Sequence, residues 1–137
     1  MKDMNMDAVI PLRHVRCTTP MVIDQLQKNF KPRKIFVLTS IANCPTLRML
    51  VRLPNLQCVD QNTVLPNLSI FSIKSILESI KNDASDQQYG FGGHSIAGWY
   101  LQQFLKLGIG FSNLHITSRY LVWDSDAVML QNFYAPH

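Results

Sequence analysis

Toward its C-terminus the chain reads Tyr120-Leu121-Val122-Trp123-Asp124-Ser125-Asp126, an apolar run that ends on two carboxylates one residue apart. Consecutive apolar β-formers bounded by charge are the pattern of a strand covered on both faces, which is how strands of a parallel sheet are buried. In an open α/β sheet, ligands bind outside the carboxyl ends of the strands, which is where this Asp pair falls. Side chains alternate along a strand, so Asp124 and Asp126 share a side if the extended conformation continues through Ser125. Carboxylates that close together repel, and a divalent cation relieves the repulsion. The same residues also read as a polar turn that closes the strand, with one Asp capping the next segment.

The rest of the chain alternates in the same style. Ala8-Val9-Ile10-Pro11-Leu12 predicts a short strand, and the proline near its end predicts that it stops there. Thr19-Pro20 opens a helix, with Thr as cap and Pro in the first turn, and Val22, Ile23, Leu26 and Phe30 follow at helical spacing. Lys34 to Thr39 predicts a second strand, Asn43-Cys44-Pro45 a short helix to Leu50 or Val51, and Leu56 to Val59 a third strand ending on Asp60. Ile70, Ile73, Ile76, Leu77 and Ile80 mark an amphipathic helix, and Asp83 to Gly93, polar and then glycine-rich, a mobile loop. A helix starts at Ser95, with Ala97, Tyr100, Leu101, Phe104 and Leu105 expected on its core face and Gly108 or Gly110 ending it. The order β-α-β-α-β-α-α-β predicts a mostly parallel sheet flanked by helices, in one domain spanning 1–137.

Composition supports a packed core, since 47% of the 137 residues are hydrophobic and 16% charged. The net charge of +4 comes from scattered Arg and Lys with no basic block among aromatics, so no nucleic acid is expected as a partner. A mildly basic balance suits small anionic ligands such as nucleotides. Cys17, Cys44 and Cys58 are odd in number and lack CxxC spacing, so they are expected to be small buried hydrophobes, neither a zinc site nor a disulfide framework. The first residues carry no apolar core of a signal peptide, and no apolar run approaches the ~18 residues of a membrane span, so neither is expected in this chain. The compartment stays open between the cytoplasm and an association with the Golgi.

Several other residues are candidates for chemistry. Trp99, Gln102, Gln103 and Lys106 fall at i, i+3, i+4 and i+7, a stripe expected opposite the helix's core face. One aromatic, two amides and a lysine without any acid suit sugar hydroxyls or phosphate oxygens, and equally suit packing against another layer. Gly90-Phe91-Gly92-Gly93-His94-Ser95 leads into that helix but matches neither a P-loop nor a dinucleotide fingerprint. Arg13 and Asp60 follow the first and third strands at the ligand-binding edge, where Asp60 can accept from a ribose or cap a turn.

Two enzyme chemistries use an Asp-x-Asp at a strand end. A haloacid-dehalogenase-type phosphatase would take Asp124 as nucleophile and Asp126 as general acid, but that motif closes the first strand of its fold and here follows the last. The other is sugar transfer from a nucleoside diphosphate, in which a metal held by the Asp pair neutralises the departing diphosphate. A non-catalytic module that binds a nucleotide sugar or a protein is the third reading.

The segments Gly98-Trp99-Tyr100-Leu101-Gln102-Gln103, Lys106-Leu107 and Tyr120-Leu121-Val122-Trp123-Asp124-Ser125-Asp126 together resemble a family of GT-A-fold nucleotide-sugar glycosyltransferases of algae, bacteria and large viruses. Val9 to Arg13 and Arg33 to Thr39 are similar to that family's first two strands. The resemblance implies a Rossmann-like GT-A domain and a Mn²⁺- or Mg²⁺-dependent glycosyltransferase using a UDP- or GDP-sugar donor. Asp124 and Asp126 would be the metal-binding pair, Asp126 the more direct ligand, with Asp124 and Ser125 also lining the donor site. Pro11, Leu12 and Arg13 would line the nucleotide pocket, Asp60 would approach base or ribose, and Gln103 and Lys106 would face the diphosphate or sugar. The acceptor, whether glycan, protein or lipid, is not specified. GT-A enzymes continue well past this strand, so the chain is expected to be an incomplete, donor-binding half with activity belonging to a longer protein. An exposed sheet edge and self-association are expected as a result.

Overall fold

A computed structural model describes residues 5–81 and 96–133, so the loop expected at Asp83 to Gly93 and the glycine stretch before Ser95 lie outside the described residues. The elements are β1 (Asp7–Pro11), α1 (Thr19–Phe30), β2 (Ile35–Thr39), a 3-10 turn (Ile41–Asn43), α2 (Cys44–Leu50), β3 (Leu56–Asp60), α3 (Ile70–Lys81), α4 (Ile96–Gly108), a second 3-10 turn (Ile109–Phe111) and β4 (Tyr120–Val122). The expected alternation is therefore met, and the fold is α/β. The chain divides into two compact units, one built from residues 1–60 and 115–137, the other from 61–114.

In the first unit all four strands run parallel in the order β3-β2-β1-β4. Register places Ala8 beside Ile35 and Leu121, Ile10 beside Val37, and Val37 beside Cys58, so these residues share one face. That face packs on Ile23, Leu26 and Phe30 of α1 and Leu47 of α2 in a single core. Val9, Phe36 and Leu38 alternate to the other face and are equally buried, as a two-sided parallel sheet requires.

Helix α1 forms for the reasons its sequence gives, with Pro20 in the first turn and the apolar residues at helical spacing buried. Its cap falls one residue earlier than expected, on Thr18, while Thr19 Oγ1 accepts the Arg16 N–H at 2.9 Å. The helix ends on Lys31 in the left-handed region (φ 53), whose N–H is donated to the Gln27 carbonyl before Pro32 prevents continuation.

The amino ends of three strands are tied to one buried carboxylate. Asp7 has no exposed surface, and its carboxylate accepts from Arg33 Nη2 at 2.7 Å, the Lys34 N–H at 3.1 Å and the Thr117 N–H at 2.9 Å. Its own N–H is donated to Thr117 Oγ1 at 2.9 Å. Lys34 leads into β2 and Thr117 into β4, so Asp7 sets where both neighbours of β1 begin.

The cysteines depart from expectation. Cys44, at the start of α2, and Cys58, in β3, form a disulfide across a separation of 14 residues, and Cys17 is exposed. The α2 connection returns the chain to β3 beside the helix's own first residue, which brings together two cysteines that spacing alone leaves unrelated.

In the second unit α3 and α4 pack on each other. Ser69 and Ser72 cap α3 reciprocally, Ser69 N–H donating to Ser72 Oγ at 2.8 Å and Ser72 N–H to Ser69 Oγ at 3.2 Å. Asn62 Oδ1 accepts the Ile70 N–H at 2.9 Å. Gly108 ends α4 where a Cβ would stand 2.7 Å from Leu65 Cδ1, so a larger residue there would require the Leu65 side chain to move. Ala97, Leu101 and Leu105 are buried as expected, but Tyr100 and Phe104 are 37% and 45% exposed. Residues at 97, 101 and 105 define a narrow buried seam, and 100 and 104 lie one residue round from it. Among the described residues, no helix is long and apolar enough to cross a membrane.

Both the buried carboxylate and the disulfide can be weighed by unfolding. Asp7→Ala removes the acceptor of three donors and should lower unfolding free energy by about 3 kcal/mol in urea titration, whereas Arg33→Ala, at a half-exposed partner, should cost about 1 kcal/mol. Reducing the Cys44–Cys58 disulfide should lower stability by about 3 kcal/mol, the value for closing a loop of roughly 15 residues, measured with and without dithiothreitol.

Candidate functional site

From β1 the chain goes to β2 on one side, and it later returns to place β4 on the other. The strand order thus reverses between β1 and β4, and the crevice outside their carboxyl ends is the ligand position of an open α/β sheet. Both ends carry residues singled out by the sequence: Pro11, Leu12 and Arg13 after β1, and Asp124, Ser125 and Asp126 after β4.

Pro11 and Leu12 are buried, and the Leu12 N–H is donated to the Leu38 carbonyl at 2.8 Å, extending the β1–β2 ladder by one bond. They fix the path of the loop, and the half-buried Arg13 is the first residue of the three to reach the surface. Asp60 is half-buried at the carboxyl end of β3, on the same edge of the sheet and at the far end of the strand order.

The Asp pair sits in a turn. β4 stops at Val122, Trp123 N–H is donated to the Val9 carbonyl at 2.9 Å, and Ala127 N–H to the Asp124 carbonyl at 3.2 Å. The Trp123 indole Nε1–H reaches over the turn to the Ala127 carbonyl at 2.8 Å. The extended conformation expected through Ser125 is therefore replaced by a turn held at both ends, and strand alternation no longer sets the relative direction of the two carboxylates. Asp124 and Asp126 are exposed and Ser125 is half-buried, so solvent and ligands reach both acids.

Beyond the turn the chain folds back onto α1. Asn29 Nδ2 donates to the Met129 carbonyl at 2.6 Å, the Asn29 carbonyl accepts the Phe133 N–H at 3.1 Å, and the Phe30 and Phe133 rings lie 5.8 Å apart. An open cavity of about 520 Å³ lies along this segment, between Trp123 and Phe133.

Among the described residues, no group of three or more His, Cys, Asp or Glu is placed to hold a metal. The turn offers two accessible hard oxygen donors, the set from which Mg²⁺ or Mn²⁺ is held when phosphate oxygens and water complete its shell. Two accessible carboxylates are too few for a closed structural metal site and would suit only a cation whose shell a bound ligand and water complete.

Gln103 and Lys106 belong to the second unit, where both are half-buried on α4, Lys106 in its last turn. The stripe Trp99, Gln102, Gln103 and Lys106 is not the most exposed side of the helix, since Phe104 and Leu107 are exposed beside it. The sequence reading missed Asn43, taken only as the opening of a helix. It makes no side-chain cap to α2 and instead donates from Nδ2 to the Arg13 carbonyl at 3.1 Å and to Thr39 Oγ1 at 2.8 Å.

Comparison with known proteins decides the family. A family model described as a family of unknown function, DUF6492, matches residues 4–137. The chain belongs to DUF6492. No curated protein and no solved structure matches it. The match includes both β1 and the Asp124–Asp126 turn, so the crevice lies wholly inside the DUF6492 region.

Trp123→Phe in the DUF6492 chain keeps the aromatic volume and removes the Nε1 donor. It should lower stability by about 1 kcal/mol and speed exchange of the Ala127 amide, both measurable by urea titration and hydrogen exchange.

Proposed function

We propose that this chain is the donor-binding part of a metal-dependent glycosyltransferase with GT-A architecture, which takes a nucleoside-diphosphate sugar. The observation that carries the reading is the Asp124-Ser125-Asp126 turn at the carboxyl end of β4, directly beside the point where the strand order reverses, with both carboxylates accessible. The parallel order β3-β2-β1-β4 supports it, because it is the arrangement of a mononucleotide-binding sheet.

In this reading Asp126 and Asp124 are the residues that would hold Mn²⁺ or Mg²⁺ in the crevice where the donor's diphosphate binds. The cation supplies Lewis-acid neutralisation of the departing diphosphate. The chain's own residues bind and orient: the loop at Arg13 bounds the nucleotide side of the crevice with a cationic side chain suited to phosphate, and Asp60 offers an acceptor for ribose or base N–H. Trp123 holds the Asp turn in shape, so the acids need little reorganisation when the donor arrives.

Calorimetric titration with UDP- and GDP-sugars tests it. Binding should require Mn²⁺ and weaken at least ~10-fold in Asp126→Ala, a change of about 1.4 kcal/mol. Binding of equal strength without metal would overturn the proposal. Hydrolysis of p-nitrophenyl phosphate that disappears in Asp124→Asn would instead assign the phosphatase chemistry.

A further inference from the structure

Asn43 occupies the N-cap position of α2, where an asparagine ordinarily bonds its own helix. Here both protons of its side-chain amide are spent elsewhere, one on the Arg13 carbonyl and one on the Thr39 hydroxyl. The amide cannot be reversed, since its oxygen would then face a carbonyl that only accepts. Arg13 is the first residue after the last β1–β2 ladder bond, at Leu12, and Thr39 is the last residue of β2. One side chain therefore joins the loops that leave β1 and β2 at the crevice.

Asn43 is itself held on two sides. Its backbone N–H is donated to the Ser40 carbonyl at 2.9 Å. The next residue, Cys44, is bonded covalently to Cys58, two residues before Asp60. The carboxyl ends of β1, β2 and β3 are thus connected through Arg13, Asn43, Cys44 and Cys58 by two hydrogen bonds and one covalent bond.

We propose that Asn43 is a positioning residue for the Arg13 loop, and that the Cys44–Cys58 disulfide makes its grip depend on thiol oxidation state, so that reduction weakens ligand binding in the crevice. A dithiol reductant would transfer two electrons and two protons to the pair, breaking the S–S bond, forming two Cys thiols and leaving the reductant as its own disulfide. Reduction frees the first residue of α2 from β3, and with it the base on which Asn43 stands. The binding part of the proposal rests on the donor-binding reading above; the positioning part does not.

The test uses the whole chain in four forms: oxidised, reduced with dithiothreitol, Cys44→Ala/Cys58→Ala, and Asn43→Asp. Aspartate keeps the size of asparagine and removes both donors, so the bridge is lost; because a carboxylate oxygen then faces the Arg13 carbonyl, urea titration of the same variant separates loss of global stability from local opening. Hydrogen exchange at the Leu12 and Arg16 amides, read without ligand, should accelerate at least ~10-fold in Asn43→Asp and in both disulfide-free forms, and UDP affinity in Mn²⁺ should fall by a similar factor. Unchanged exchange at those amides in Asn43→Asp overturns the positioning role. Accelerated exchange with unchanged UDP affinity overturns the control of binding. Accelerated exchange in a protein whose oxidised parent binds no nucleotide supports the positioning role and overturns the donor-binding reading, so the two failures are distinguishable.

Discussion

The sheet of the first unit is organised around a carboxylate taken out of water. A buried charge is tolerable only if it is paired and hydrogen-bonded, and Asp7 meets that condition with a guanidinium and two backbone amides that reach both of its oxygens. Because those amides belong to Lys34 and Thr117, the same condition that satisfies the charge also fixes the start of β2 and β4 relative to β1. Ala8 then stands beside Ile35 and Leu121, and the alternation of Ala8, Ile10 and Leu12 toward α1 is set by that start. A one-residue slip would exchange the residues of the two buried faces, spoil the packing on α1 and leave the carboxylate without its partners. Register at the amino edge therefore determines what stands at the carboxyl edge, where the candidate site lies.

That division of labour separates two kinds of bond. At the amino edge the contacts are buried and serve the fold. At the carboxyl edge they hold loops in shape: Trp123 over the Asp turn, and Asn43 between the loops after β1 and β2. Asp124 and Asp126 face solvent on a turn whose backbone is already bonded, an arrangement suited to a ligand that arrives with its own charge and needs little rearrangement of the protein.

Much of the fold was legible because its signals are local. Thr19-Pro20, the apolar spacing of α1 and α3, and the runs ending at Thr39 and Asp60 each specify an element within a few residues, and all four strands stand where the alternation put them. What escaped the reading depends on contacts distant in sequence. Asp7 looks like an ordinary polar residue before a strand, and its role appears only when Thr117 is brought to it. Cys44 and Cys58 meet through the return from α2 to β3, which spacing does not reveal. Helical spacing puts Tyr100 and Phe104 on the same face as Ala97, Leu101 and Leu105, yet the buried seam of α4 is narrow and leaves both aromatics outside it. At the site, the Asp pair was legible from its apolar lead-in, but the turn that carries it was not, since it depends on an indole reaching back to the Ala127 carbonyl.

The pairing of β1 with β4 has a consequence for how the molecule comes into being. These strands are the most separated in sequence of any neighbours in the sheet, with every other described element between them. Closing so long a loop is entropically the least favourable step, so β1 and β2 can associate long before β4 joins them. During synthesis β1 therefore waits with one backbone edge unpaired until Tyr120 to Val122 have emerged. The crevice between β1 and β4 is the last part of this four-stranded sheet to form, and a nascent chain halted between Asp60 and Tyr120 holds three of the strands without the edge that carries the Asp124–Asp126 turn.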